Sequence, residues 1–227
     1  MNPLDNPIWE ALQTKLERFA EAGAAARRFP PEITLLAGCA EPTTDAFESL
    51  ATLQTDGRPS VLFLERVVNP PVGWKVIERD SLVQMVSVRD AELPEISEDI
   101  IELGEADTAE MLALAKLTKP GPFGTRTREL GMFLGLRREG RLAAMAGERL
   151  RLAHYAEVSA VCTHPDFLGR GLAAGLMAAV MKHMKQKGET PILHVRANNS
   201  RAIGLYKRLG FVERRRFELL VGVPVAR

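Results

Sequence analysis

Residues 157–211 read EVSAVCTHPDFLGRGLAAGLMAAVMKHMKQKGETPILHVRANNSRAIGLYKRLGF. An apolar strand pattern runs into a turn holding Gly169 and Gly171, then an amphipathic helix, a second apolar strand and a short helix carrying Tyr206. This order restricts the chain to a mixed α/β arrangement. It also sets a glycine-bearing turn upstream of a helix that presents a phenol.

The turn has a physical use. Gly169 and Gly171 lack Cβ, so a ligand can approach the backbone there and positive φ is permitted. The helix that follows offers unpaired N-terminal amides and the positive end of its dipole to an anion. Ala173 and Gly175 keep its first turn thin. An ordinary strand-to-helix turn has the same glycines, so the turn alone does not settle phosphate binding. A dinucleotide fold is a poor fit. The spacing from Gly169 through Gly171 to Gly175 is one residue off the usual fingerprint, and the next strand ends in Arg196 without an acidic residue. Too little chain follows Ala197 to complete a doubly wound sheet.

Upstream, periodicity predicts a helix over residues 7–25 with Ile8, Leu12, Leu16 and Phe19 on one face, stopped by Pro30 and Pro31. Short buried strands are expected over 33–36 and 61–64, with a helix capped by Thr44 and running to Leu53 between them. Residues 69–73 read as a loop. A second unit begins near Leu82, with a strand over 84–88 and an acidic, solvated connector over 91–105. A helix over 109–117 is ended by Pro120. Strands over 132–136 and 141–150 are joined by a turn at Glu139-Gly140. Residues 157–163, 192–196 and 211–221 complete the strands, and 171–187 and 200–209 the helices.

With the turn upstream, Asn199, Ala202, Tyr206, Gly210 and Phe211 make a second signature, and together the two resemble the GCN5-related N-acetyltransferase (GNAT) superfamily. The run EVSAVCTHPDFLGRGLA is similar to its FR47-like branch. The likeness covers roughly residues 82–222 and is strongest over 157–211. It implies a mostly antiparallel central sheet with a splayed strand pair, flanked by helices, and an acetyltransferase domain over 82–227. A smaller α/β segment of unassigned role, 1–81, precedes it. The family's diphosphate turn maps onto Leu168, Gly169, Arg170, Gly171, Leu172 and Ala173. Leu168 stands where an Arg or Gln is usual, which removes a polar side chain and leaves the backbone amides.

The resemblance implies acetyl-CoA as acyl donor and direct transfer to a primary amine of a small molecule in a ternary complex. The pantetheine arm is expected along Val161, Cys162 and Thr163, with the Val161 N–H polarising the acetyl carbonyl. Asn199, Ala202 and Tyr206 are expected to contact the cofactor. Tyr206 is the expected general acid, since a phenol of pKa about 10 suits a leaving thiolate. Glu157 is the expected general base, directly or through water, with Glu148 and Glu129 as weaker alternatives. His194 is either packed or lining the cleft. Cys162, a strand thiol without a paired base, is not expected to be a nucleophile. Phe123, Arg126 and Arg128, in a loop dense in Gly and Pro, are expected to bind the acceptor, and the two arginines favour one bearing a carboxylate or phosphate. Transfer to a protein or peptide amine and a non-catalytic acyl-CoA sensor are the alternatives.

The remaining bounds are mild. A formal charge of +1 gives no reason to expect nucleic acid or an anionic membrane as partner. No apolar run approaches the roughly 20 residues of a membrane-spanning helix, and the first residues lack signal-peptide order. Two distant cysteines suit a reducing cytoplasm, and no Cys/His cluster has metal-ligand spacing. The expected state is a cytoplasmic monomer or homodimer without metal.

Overall fold

The computed structural model describes residues 2–88, 94 and 99–225 of the 227. In chain order the elements are α1 (Pro7–Gln13), β1 (Glu21–Ala22), β2 (Ala26–Arg28), β3 (Ala37–Cys39), α2 (Thr44–Leu53), β4 (Ser60–Leu64), β5 (Trp74–Ser87), β6 (Ile100–Glu102) and α3 (Thr108–Thr118). Then come β7 (Phe133–Arg138), β8 (Arg141–Arg151), β9 (Tyr155–Thr163), α4 (Leu172–Gln186), β10 (Thr190–Arg196), α5 (Ser200–Arg208) and β11 (Phe211–Pro224). The large sheet has the order β4-β11-β5-β10-β9-β8-β7-β6, and β1, β2 and β3 form a small sheet beside it. Every pairing in the large sheet is antiparallel except β9 with β10.

The two sheet faces have different covers. On one face α4 and α5 lie over Val83, Met85, Val158, Leu193 and Val195, into which α4 sets Leu176, Met177, Val180, Met181 and Met184. Burying each such side chain is worth about 1.5–3 kcal/mol, so this one helix anchors the centre of the sheet. On the other face Leu4, Ile8, Leu12, Leu16, Phe29 and Ile33 from the N-terminal residues cover Leu82, Val86, Ile192, Phe217 and Leu219.

Several local expectations shift. The helix expected over 7–25 stops at Gln13. Thr14 Oγ1 bonds the Glu10 carbonyl at 2.7 Å and the backbone leaves helical space at Thr14, φ −127° and ψ −101°. Leu16 still reaches the same core through a short 3-10 turn, so the apolar face survives the break. Residues 33–35 form no strand, because Ile33 and Thr34 turn back onto the Pro30 carbonyl, and strand geometry resumes at β3. The cap of α2 is Thr43, not Thr44, with its hydroxyl accepting from the Ala46 N–H at 3.3 Å. Glu139 and Gly140 make the tight turn with φ of 53° and 73°. Of the connector expected over 91–105, residues 91–93 and 95–98 lie outside the described residues, and its described end holds β6.

The division expected between residues 81 and 82 falls inside β5, a continuous strand of 14 residues. Upstream of it, β4 pairs with β11 through five registered positions from Glu218↔Leu64 to Gly222↔Ser60. Residues 1–81 thus supply a whole strand and half of another to the large sheet.

Candidate functional site

The sheet opens at one place. β9 and β10 run parallel and pair only at Thr190↔Tyr155, Pro191↔Ala156 and Ile192↔Glu157. Beyond Glu157 and Ile192 the strands part, and a cavity of about 500 Å³ occupies the gap. Its wall includes Val161, His194, Asn199 and Tyr206, with Arg149 from β8 and the loop of Lys119, Pro120, Gly121 and Pro122. Leu36, Val61 and Phe63 close it from the N-terminal side.

A bulge helps shape the gap. Between the pairs Gly147↔Ser159 and Met145↔Cys162, Ala160 and Val161 on β9 oppose the single residue Ala146 on β8. Ala160 takes φ of 52°, a left-handed conformation that costs a non-glycine residue roughly 1–2 kcal/mol. The extra residue bends β9 and brings Val161 into the cavity wall. Cys162 is buried against α3, and desolvation pushes its thiol up to about 11, so it stays protonated and unreactive.

The strand's far end feeds the glycine turn. His164 starts it by accepting from the Asp166 N–H, and Gly169 and Gly171 both sit in the left-handed region, φ 78° and 74°. Gly171 is the N-cap of α4. A Cβ built at Gly169, Gly171 or Gly175 meets nothing within 4 Å, so the bare backbone faces open space. Leu168 is exposed and Arg170 stacks its guanidinium over Phe167 at 5.2 Å. The first N–H groups of α4 lack intrahelical partners, so the open backbone from Gly169 to Ala173 has the chemistry to receive an anion.

Asn199 caps α5, its Oδ1 accepting from the Ala202 N–H at 3.1 Å. The cap fixes the helix that carries Tyr206, whose ring meets Phe211 edge-on at 6.2 Å. Desolvation raises the phenol to about 12.

A polar stripe crosses the opposite face. Glu157 is fully buried and receives Arg149 through Nη2–Oε1 at 2.6 Å and Nε–Oε2 at 2.8 Å. His194 Nδ1 lies 2.7 Å from Glu157 Oε1, and its Nε2 lies 3.0 Å from Gln84 Nε2. Gln84 is pinned by donating to the Leu4 carbonyl at 3.0 Å and accepting from Arg214 at 2.9 Å. With its amide so fixed, Gln84 donates to His194 Nε2, which leaves Nδ1–H to donate to Glu157. Arg214 ends the stripe on Asp5 at 2.6 Å. Burial alone would raise the Glu157 carboxyl, but the Arg149 charge and its hydrogen bonds, with that of His194, outweigh it and hold the group at about 2.

These facts redistribute the expected roles. Val161, Asn199 and Tyr206 line one cavity with Glu157 directly behind it, and Ala202 serves the cap. Glu157 is badly placed as a base, being saturated with donors and weakly basic. Glu148 is buried on Arg151, and Glu129 is held by Arg126. Arg126 and Arg128 do not reach the cleft. Arg126 forks onto Glu129 at 2.8 Å and Arg128 pairs with Glu105 at 3.4 Å. Phe123 packs edge-on against Phe133 at 5.8 Å, beside a narrow void that Arg149 also borders. The cations in the cleft wall are instead Lys119, Arg196 and Arg149, of which Arg149 is the buried one. It stands beside Glu148 at the end of the apolar run 142–147 of β8, and Gln84 stands amid the apolar residues 82–86 of β5; polar residues set in such strands are the sequence signal that could have found the stripe.

Residues 133–220 match the family model described as FR47-like protein. The whole chain superimposes on a GNAT-family protein from Novosphingobium aromaticivorans DSM 12444, with 40% identity, TM-score 0.91 and full coverage of both chains. A GCN5-related N-acetyltransferase from Kribbella flavida shares the fold over 96% of this chain and 95% of its own, with TM-score 0.63 and 17% identity. Over 90 residues the sequence is 34% identical to mycothiol acetyltransferase of Saccharomonospora viridis, a match that spans 36% of this chain and 29% of that protein, less than a third of its length. The chain therefore belongs to the GNAT family, and its FR47-like part runs through the strands and helices that build the split sheet and the glycine turn.

Proposed function

We propose that the protein is an acetyl-CoA-dependent N-acetyltransferase acting on a primary amine of a small molecule by direct transfer in a ternary complex. The observation that carries this reading is the cavity between β9 and β10, which brings Val161 of β9, Asn199 and Tyr206 of α5 and Arg149 of β8 to one wall, with Leu36, Val61 and Phe63 opposite. The cradle at Gly169, Gly171 and Gly175 suits a coenzyme diphosphate, since any Cβ there would project into the space a phosphate would take. The backbone of Gly169 to Ala173 would hold that diphosphate, Val161 to Thr163 the pantetheine arm, and Asn199 and Tyr206 the end near the sulfur. When bound, the coenzyme supplies an acetyl thioester.

The chain's own residues supply the rest. The bulge at Ala160 aims the Val161 N–H at the acetyl carbonyl, where it stabilises negative charge as it develops. Tyr206, kept protonated by burial, donates a hydrogen bond and finally its proton to the departing sulfur, and the proton shed by the acylated nitrogen returns the phenolate to phenol. The same desolvation makes a thiolate formed there more basic, which preserves the match between donor and acceptor. Glu157 acts by position. It fixes Arg149 and the Nδ1–H tautomer of His194, and its charge keeps the guanidinium in place. The N-terminal residues exclude water from the acceptor side.

A small acceptor is favoured over a polypeptide because Lys119 to Pro122 and Leu36, Val61 and Phe63 narrow the acceptor side from two directions. Incubation with acetyl-CoA and a panel of small amines, read as free thiol released, tests the proposal. Thiol release that depends on the amine supports it. Acetyl-CoA binding without amine-dependent release would point to an acyl-CoA sensor.

A further inference from the structure

Arg149 has more donors than its partner uses. A guanidinium carries five N–H groups, and Glu157 takes one from Nε and one from Nη2. The second Nη2 hydrogen and both Nη1 hydrogens meet no acceptor among the described residues, and the Nη2 hydrogen with one from Nη1 forms the end-on edge of the fork. That edge faces the loop side of the cleft, for Nη1 stands 3.8 Å from the point a Gly121 Cβ would occupy. Gly121 and Arg149 line the same cavity.

The guanidinium is also held still. Glu157 grips one edge, and the Phe63 ring lies 6.0 Å from Cζ. Arg149 is only 7% exposed, so little bulk water reaches its spare donors. Those donors face the cavity, and an oxyanion arriving through the cleft would take a bidentate pair of hydrogen bonds from them. A second cation stands on the same wall. Lys119 lines the cavity and has no ion-pair partner among the described residues. The one acidic residue in the wall, Glu78, is paired with Arg196 at 2.6 Å.

We propose that the acceptor is a small amine bearing a carboxylate, and that the free edge of Arg149 grips that carboxylate with Lys119 supplying positive potential at the lip. Arg149 and Tyr206 border one cavity of about 500 Å³, so the anionic group and the reacting nitrogen belong to one molecule of amino-acid size. Arg149 is thus a specificity residue. The inference rests on the acetyl-transfer reading above.

The test pairs each common amino acid with its carboxamide, which keeps the shape and removes the charge, and measures thiol release from acetyl-CoA. The proposal expects the best acid to exceed its amide by at least tenfold in kcat/KM, through KM. Arg149→Lys keeps a cation against Glu157 but gives up the end-on fork. It should raise the KM of the acid at least tenfold, bring the acid-to-amide ratio near one, and leave the KM of acetyl-CoA within a few-fold. Lys119→Ala, a change at the cleft lip, should raise the acid's KM by a smaller factor. Amides used as well as acids by the wild type would overturn the proposal, as would Arg149→Lys raising the KM of acetyl-CoA alone. If acetyl-CoA binds and no amine is acetylated, the transfer reading fails, and titration of the same acids into the acetyl-CoA complex decides the rest. Binding that Arg149→Lys abolishes sustains anion recognition, and no binding of any acid overturns it.

Discussion

Arg149 and Glu157 face each other from neighbouring strands with two hydrogen bonds, at 2.6 and 2.8 Å, and hardly any of either side chain reaches solvent. Removing one charge from such a pair costs about 3–5 kcal/mol, because the other is left buried alone. Glu157→Gln should therefore lower stability by that order in urea unfolding at neutral pH.

The same pair sets a pH dependence. The Glu157 carboxyl sits at about 2 in the folded protein against an ordinary 4.5, so folding favours its charged form. A gap of that size corresponds to roughly 3 kcal/mol. This stability is complete above pH 4.5 and fades as pH falls towards 2. Between pH 5 and pH 3 the wild type should lose more unfolding free energy than Glu157→Gln, and equal losses would place the titration elsewhere.

Tyr206→Phe removes the hydroxyl and keeps the edge-on contact with Phe211. General acid catalysis contributes about 10²–10⁴-fold, so kcat should fall by at least two orders of magnitude while acetyl-CoA affinity stays within a few-fold. Because burial raises this phenol to about 12, it keeps its proton throughout the stable range. The wild-type rate should thus show no alkaline loss attributable to Tyr206 below about pH 11. Equal turnover by the variant would remove Tyr206 as the acid.

Ala160 holds its left-handed backbone at a cost that glycine would not bear. Ala160→Gly should leave thermal stability unchanged or slightly raised and retain activity. Ala160→Val puts a β-branched residue at positive φ, which should destabilise by about 2 kcal/mol or more. If the folded variant flattens the bulge, kcat falls out of proportion to stability. A fully active Ala160→Val would detach the bulge from the chemistry.

The glycine turn, the Asn199 cap and the Glu139-Gly140 hairpin were legible because each is a local device of a few residues. The polar stripe was not. His194 and Gln84 are cross-strand partners 110 residues apart in the chain, and β4 reaches its partner β11 across most of the chain's length. A carboxylate such as Glu157 reads from sequence as a free base until its partners are known, and its partners come from β8 and β10. Arg126 has a nearer partner than an acceptor, since Glu129 stands three residues away and takes its Nε and Nη2 donors.

In the proposed mechanism acetyl-CoA seats on the bare backbone at Gly169 and Gly171. Calorimetric titration with acetyl-CoA, run beside NADPH, tests it on the wild type and on Gly171→Glu, whose side chain would enter the open space at φ 74° and set a carboxylate against the diphosphate. One site per chain is expected for acetyl-CoA, none for NADPH, and no acetyl-CoA binding by the variant once circular dichroism shows it folded. A wild type that ignores acetyl-CoA, or a folded variant that binds it unchanged, would rule this seat out.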